Sequence, residues 1–555
     1  MGTKIQENTQ IRFKEYDQNQ VVEVPVLVKD AVKDNVLVRI VDEVVESIDL
    51  SKLSAFYSKK GCPAYHPRMM LKVWIYGFCN KVYTSRVLEG KLKEDLGFIY
   101  LSGNQRPCFK TLSEFRGSRM KGMVDEVFKE VLSYLSERGY IDLEDLFVDG
   151  TMMEANANKH KINWAKNTAR WKAAAQERAK LLLEQAEELQ ALEDEEYGSK
   201  GLAKYQGEGQ ITLELDSASL QGCIASINQK AEGLAEKKRK RKLKSIGNKV
   251  SKEAQNIAKY EQQEKVLAGR NSYSKTDKDA TALRMKDRSL KPGYNVQITT
   301  SNQFILNTSV HATAADSATF ESHISKLEQY AEGIAPEGWH PTLTTDAGYG
   351  SEEVYALLES KNWAGYVKYF TWYREQSGQI AKQPYRRENW QWDSQDNCFI
   401  CPQGRKLYLA EELDKKTKTG YTRHVHVYEC ESCQGCPAFK KCRRDTAPPD
   451  SNRRLWISWK LEAYKEKAKA LLASEQGKAK RAKRGVDVET PFGNIKHNRG
   501  CRRFLLRGQQ KVYIEACLLC ISHNLIKVEC DVTGKWEEYY ARRRAKAAAK
   551  KKKRA

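Results

Sequence analysis

A chain of 555 residues with 95 Lys and Arg against 72 Asp and Glu, a net charge of +23, is too long for one ordinary domain and too basic for an indifferent surface. An apolar share of 40% at a mean hydropathy of -0.69 fills several cores under a very polar surface, which excludes wholesale disorder, and no run approaches the ~20 apolar residues of a membrane span. Met1–Gln6 has no apolar signal core and Gln6 stands where a myristoylation motif needs Ser or Thr, so a soluble cytoplasmic protein without a membrane partner is expected, with nucleic acid as the first class of polyanion it would meet.

In chain order, residues 1–139 read as a helical N-terminal DNA-binding domain. The spacing of Met70, Val73, Trp74, Tyr76 and Val82 predicts a helix that Pro67 opens. Thr111-Leu-Ser-Glu114 has the pattern of a capping box, heading a helix that carries Phe115, Met120, Met123, Val124, Val127 and Val131. At 140–158 the apolar run Leu146-Phe-Val148 leads into Asp149-Gly150, a buried strand presenting an acid at its C-terminal end. Residues 159–270 are predicted to be a basic helical insertion, a hairpin or coiled coil with a turn-rich patch at 197–209. Its block Lys237-Lys-Arg-Lys-Arg-Lys242 reads equally as a solvated helix face and as a phosphate-binding patch.

Strand signals return at Gly293–Thr300 and Phe304–Val310, split by Ser301-Asn302-Gln303 as in a hairpin. Asp316 is placed to cap a helix over 317–330, and Pro341–Thr345 delivers Asp346 into Gly348. Helix over 354–360 and strand over 364–370 follow. The segments 140–158, 271–370 and 485–530 thus predict an α/β fold, a mixed sheet with flanking helices. Around them lie a Cys-rich insertion at 371–455, a basic helix at 456–484 and a basic tail at 531–555.

Two acids at strand ends, Asp149 and Asp346, are the sharpest chemical signal, although an aspartate before glycine is also a common turn former. Glu489 on a late helix supplies a third carboxylate. Converging carboxylates repel one another unless cations neutralise them, and their natural use is to hold two Mg²⁺ ions. A second constellation is Cys398-x2-Cys401 with Cys430-x2-Cys433-x2-Cys436-x5-Cys442. It offers thiolate pairs at knuckle spacing for a closed structural Zn²⁺ site, with Cys398, Cys401, Cys433 and Cys436 as the expected ligands; reduced cysteines packing a small β-rich unit are the alternative. Arg499, Arg502 and Arg503 follow Glu489 and are placed to grip a DNA backbone.

Val148-Asp-Gly-Thr151, Thr345-Asp-Ala-Gly-Tyr349 and Val488-Glu-Thr-Pro-Phe-Gly-Asn-Ile-Lys496 resemble the acidic motifs of bacterial insertion-sequence DDE transposases, in the insertion-sequence four/five assemblage. Tyr65-His-Pro-Arg-Met-Met70, Thr84-Ser-Arg86, Thr111–Arg116 and Gly293-Tyr-Asn-Val-Gln297 extend the likeness over roughly residues 35–530. The resemblance implies an RNase H-like core in which Asp149, Asp346 and Glu489 hold two Mg²⁺ (or Mn²⁺) ions. It implies double-stranded DNA, both element ends and target, as substrate, and a homodimer in the active complex. Lys496 fits the lysine that follows the glutamate in the related signature, and seven residues along a helix would set it on the face of Glu489, near the DNA phosphate. The signature's arginine and tyrosine positions hold Gly485 and Ala482, with Arg484 one residue early. A silent DNA-binding descendant and a nuclease without strand transfer remain as competing readings.

Overall fold

Alternation of apolar side chains sets the central sheet of this computed structural model, which describes residues 27–49, 64–197, 215–234, 236–443, 448 and 451–535. The tail beyond 535, the turn patch beyond Tyr197 and Cys62 lie outside the described residues. Its strands are β1 (Asp145–Glu154), β4 (Thr281–Arg284), β5 (Leu290–Ser301), β6 (Phe304–His311), β7 (Thr342–Thr345) and β8 (Ala364–Val367), while β2 (Ile162–Trp164) and β3 (Ser272–Ser274) pair apart from it. β1 runs antiparallel to β5 and parallel to β7, which is parallel to β8; β6 and β4 lie antiparallel on the far edge of β5. The expected mixed sheet with helices on its faces is therefore present.

The β5–β6 turn is the two-residue kind, with both Asn302 (φ 51°) and Gln303 (φ 66°) left-handed. Asparagine tolerates this. Gln303 is held there from outside, its N–H donating to Asp487 Oδ1 at 2.9 Å and its carbonyl lying 3.0 Å from His523 Nε2.

Helices Val36–Ser47, Pro67–Cys79, Phe109–Gly117 and Val124–Glu137 do not form a separate core. Their Val38, Trp74, Phe78 and Val131 are buried in one cluster with sheet residues and with Leu518, Ile521 and Leu525 of the closing helix Gln509–Val532. Pro67 occupies the first helical position, as expected, and His66 Nδ1 accepts the Arg68 N–H at 3.3 Å. The capping box at Thr111 is not formed. That helix begins at Phe109, whose N–H donates to Glu89 Oε2 at 3.1 Å, so a carboxylate from another helix does the capping and leaves Thr111 inside. The helix also stops at Gly117; Met120 lies on the short 3-10 turn Arg119–Gly122, and Val124 to Val131 belong to the next helix, which Met123 precedes.

Among its described residues the insertion has three helices rather than the two of a hairpin: Ala165–Tyr197, Ser217–Gly233 and Lys237–Leu267. Leu243, Ile246, Val250, Ala254 and Ile257 recur every three or four residues and face Ala175, Ala179, Leu220 and Ile227 in a core of their own. The β2–β3 pair closes its neck.

The Cys-rich segment is an antiparallel meander of β9 (Gln391–Asp393), β10 (Cys398–Ile400), β11 (Lys406–Lys416), β12 (Thr422–Cys430) and β13 (Arg454–Ile457) around Trp390, Phe399, Leu407 and Tyr428. It docks on the helix Glu352–Ser360 through one buried carboxylate. Glu352 accepts from Ser458 Oγ at 2.6 Å, Tyr421 Oη at 3.1 Å and Arg423 Nε at 3.2 Å. The expected basic helix breaks at Ser474, whose hydroxyl accepts the Gly477 N–H at 3.0 Å and so opens a new helix, Glu475–Gly493, that carries Glu489.

Candidate active site

Parallel pairing of β1 with β7 brings the two acids together. Asp149 does not end its strand as expected: β1 runs on to Glu154 against β5, with Asp149 opposite Ile298, and only its pairing with β7 stops before it. The last paired residues are Phe147 and Thr344, and continuing that register by two residues sets Asp149 beside Asp346. Asp346 caps the turn Ala347–Tyr349, its Oδ1 accepting the Gly348 N–H at 2.8 Å. Asp149 Oδ1 accepts the Gly150 N–H at 2.9 Å, and its Oδ2 lies 3.4 Å from Arg484 Nη1. Burial pushes the Asp149 carboxyl up to about 6; Arg484 opposes this, while the charges of Asp346 and Asp316 add to it.

Asp316 is the residue that sequence reasoning placed elsewhere. The helix it was expected to cap begins later, at Phe320, with Thr319 at the cap position. Asp316 holds the approach to that helix with its backbone carbonyl, which accepts from Thr319 N at 3.0 Å and Thr319 Oγ1 at 2.8 Å. That frees its carboxylate for the site. Asp316 Oδ1 accepts from Asn295 Nδ2 and from Gln297 Nε2, each at 2.8 Å, and the Tyr349 hydroxyl donates to Gln297 Oε1.

The carboxylate crowds Gly150 on β1 and Gly348 in the Asp346 turn, where an added Cβ would force the neighbouring side chains to shift. A Cβ on Gly150 would stand 2.7 Å from Asp316 Oδ1, and one on Gly348 3.0 Å from Asp316 Oδ2 and 3.1 Å from Asp346 Oδ1. The signal in the sequence was the pair Asn295 and Gln297, two amides two apart on an otherwise buried strand, which need a polar partner on the face they share.

The structure thus brings together Asp149, Asp346 and Asp316, with Arg484 as the ion-paired cation. Glu489 is not joined to them by any hydrogen bond or ion pair. It is exposed on the Glu475–Gly493 helix, bracketed in the chain by two anchors to β1: Arg484 at Asp149, and Lys496, whose Nζ donates to Thr151 Oγ1 at 2.6 Å and Met152 O at 2.7 Å. Burial lowers the Lys496 ammonium to about 8, with Lys286 and Arg502 in the same direction and Asp149 opposing. The expectation that Lys496 shares a regular helix face with Glu489 fails. Pro491 interrupts the hydrogen-bond ladder and Asn494–Asn498 winds as a π-helix, so the 3.6-residue period does not carry across.

The arginines divide. Arg499 is buried, its Nη2 donating to Phe78 O and its carbonyl accepting from Tyr83 Oη at 3.0 Å. It pins the segment after Glu489 to the N-terminal helices and offers nothing to a DNA backbone. Arg502 and Arg503 are exposed; Arg503 Nε donates to Ala155 O at 3.2 Å, which holds it beside the end of β1. Arg484 is engaged with Asp149 and is not a free phosphate ligand.

In the Cys-rich unit, Cys401, Cys430, Cys433, Cys436 and Cys442 line one cavity of about 20 Å³. Cys398, expected among the ligands, does not. It is buried on β10, with its sulfur within 4.8 Å of carboxylate oxygens of Asp393 and Asp396. Cys401 has already left the strand, in a turn closed by Gly404 N–H to Cys401 O at 2.8 Å, so the two cysteines of that pair diverge.

Comparison with known proteins gives two partial matches. Residues 400–529 match a family model described as Transposase DDE domain, and residues 26–118 match one described as Transposase domain (DUF772). Both indicate a transposase family. Of the expected acids only Glu489 falls inside a matched stretch. No curated protein and no solved structure matches the chain. Among the described residues, no helix is long and apolar enough to cross a membrane.

Proposed function

We propose that the protein is the transposase of a bacterial insertion sequence of the four/five assemblage, acting on double-stranded DNA at the nucleoid in the cytoplasm. It would bind the element's terminal inverted repeats as a homodimer, hydrolyse phosphodiesters to free 3′-hydroxyls and join those to target DNA. The observation that carries this reading is the convergence of Asp149, Asp346 and Asp316 at the mouth of parallel strands, beside a helix bearing Glu489, in a chain whose two ends match transposase domains. The strand order, with β5 antiparallel to its neighbour β1 and β7 and β8 parallel beyond it, supports an RNase H-like core.

The donor set fits hard divalent cations. It is all carboxylate oxygen, and a single arginine opposes the charge of Asp149. Asp149 and Asp346, with Glu489, would hold Mg²⁺ or Mn²⁺, which when bound supplies activation of the attacking oxygen and stabilisation of the leaving one. The protein's own groups do the positioning. Asn295, Gln297 and Tyr349 fix Asp316 against Gly150 and Gly348, Lys496 is poised beside β1 for a backbone phosphate, and Arg502 and Arg503 form a basic rim along the same strand.

The test uses purified protein, Mg²⁺ and a labelled duplex carrying the inverted repeats that flank its own gene. Wild type is expected to nick at the 3′ ends, while Asp346→Ala binds without nicking. Binding without nicking by both proteins would instead establish a silent DNA-binding protein, and nicking that never joins a 3′ end to a second duplex would establish a nuclease. In the same assay Asp316→Asn is expected to raise the Mg²⁺ concentration needed for half-maximal nicking about 10–100-fold, the effect of disturbing a group that orients metal ligands. An unchanged Mg²⁺ requirement would reduce Asp316 to a loop-structuring residue.

A further inference from the structure

We propose that Cys401, Cys433, Cys436 and Cys442 bind one structural Zn²⁺ ion that clamps the two turns of the Cys-rich meander. The inference is independent of the catalytic reading. These sulfurs share a cavity reached from two directions, the β10–β11 turn and the segment after β12. Each arm is already shaped as a ligand-bearing turn. Cys401 opens the turn that closes at Gly404, Cys436 N–H donates to Cys433 O at 3.3 Å, and the short helix Phe439–Cys442 returns Cys442 to the cavity. Arg405 Nη1 bridges the arms by donating to Ser432 O and, at 3.1 Å, to Gln434 O.

Two further observations point to an anionic centre in this cavity. The backbone N–H of Arg453 is aimed at Cys433 Sγ at 3.2 Å, a donor suited to a metal-bound thiolate. Arg443 and Arg453 line the cavity, and Arg443 Nη1 and Arg453 Nε are buried without a hydrogen-bond partner among the described residues. The described lining of the cavity holds no Asp or Glu, so four neutral thiols offer those nitrogens no opposing charge there. Four thiolates around Zn²⁺ carry a net charge of −2 and oppose them, and four soft ligands in a closed shell are what structural zinc takes. Cys430 is the fifth thiol at the cavity and is excluded by its own bond, because its S–H donates to Ser432 O at 3.5 Å and so keeps its proton.

Binding releases the thiol protons to solvent and changes no oxidation state. Tighter groups of potential ligands occur elsewhere among the described residues, at Glu412, His424 and His426 and at Asp393, Asp396 and Cys398. The four thiols therefore close fully only when the ion draws the two arms together.

Metal analysis of the full-length protein purified without chelator is expected to give about one zinc per chain, retained in Cys398→Ser, Cys430→Ser and His424→Ala and lost in Cys436→Ser and Cys442→Ser. Because a lost clamp could also cost solubility, the second measurement needs no variant. Alkylation of wild type followed by mass spectrometry should find Cys401, Cys433, Cys436 and Cys442 protected with zinc and modified after chelation, with Cys398 unchanged by chelator. Substoichiometric zinc with those four cysteines reactive from the start would overturn the proposal. So would zinc that survives Cys442→Ser but disappears from Cys398→Ser or His424→Ala, which would move the ion to another group.

Discussion

Asp149→Asn is expected to lose cleavage while gaining stability, and the two effects have one cause. The carboxylate sits where burial and the charges of Asp346 and Asp316 disfavour ionisation, with Arg484 the opposing partner, so its folded-state pKa stands near 6 against 3.8 for a free aspartate. A native pKa above the unfolded one means that the folded chain binds the proton more tightly. The resulting destabilisation is absent below about pH 4, grows as pH rises toward 6 and is constant above it. At about 1.4 kcal/mol per unit, it amounts to up to about 3 kcal/mol at pH 7 in the metal-free protein. Asparagine keeps the shape and removes the charge.

The variant should therefore unfold at higher denaturant than wild type at pH 7 without added metal, and at the same denaturant at pH 4. Activity should move the other way. The ionised site that is costly in the empty protein is what a divalent cation needs, and a catalytic cation contributes several kcal/mol, so nicking should fall about a thousandfold or more with DNA binding kept. Mg²⁺ should stabilise wild type and not the variant. A variant that nicks normally, or one less stable than wild type at pH 7, would remove Asp149 from the centre of the site.

What the sequence could not disclose follows from where the information sits. Asp149 and Asp346 were readable because each ends an apolar run and is followed by a turn-forming glycine, a purely local pattern, although only Asp346 is followed by a turn and β1 runs on through Asp149 to Glu154. That they are neighbours depends on the β1–β7 register, in which Phe147 faces Thr344, and that belongs to no single segment. Asp316 lies in a loop and acquires its role from amides on β5, from Gly150 on β1 and from Gly348 in the Asp346 turn. Arg499 looked like its neighbours Arg502 and Arg503, since charge pattern does not say which side chain turns inward to Phe78 and Tyr83. Cys398 and Cys401 carry the spacing of a metal knuckle, yet one is inside a strand and the other beyond its end. Local chemistry named the reactive residue types; long-range pairing decided which of them meet.

Acid should unfold the unit built on the central sheet well before carboxylate protonation alone would do so, because His323 and His523 are buried there and His311 is half-buried, all in neutral form. His323 sits between Thr299 Oγ1 at 2.9 Å and Ser309 Oγ at 2.7 Å, His311 contacts the same serine at 2.7 Å, and His523 lies 2.9 Å from Asn494 Nδ2 and 3.0 Å from Gln303 O. Burial lowers their pKa values to about 3, about 4 and about 4, against 6.5 in a free chain. Here the unfolded state binds the extra protons. The stability these groups carry is complete above about pH 6.5 and is lost as pH falls toward 4, at about 2 kcal/mol each by pH 5. Three sites, on the helix Phe320–Ala331, at the end of β6 and on the closing helix, then remove about 6 kcal/mol together, comparable to the whole stability of an ordinary domain.

Hydrogen exchange across β5, β6 and Gln509–Val532 should accelerate steeply between pH 6.5 and 5 after correction for intrinsic rates. The insertion Ala165–Leu267, whose core holds no histidine, should keep its protection over the same range. His323→Gln, which cannot take up the proton, should flatten the core's pH dependence by about one third, even though a lost hydrogen bond lowers its stability at neutral pH. Equal acceleration in the insertion and the core would locate the acid sensitivity outside these histidines.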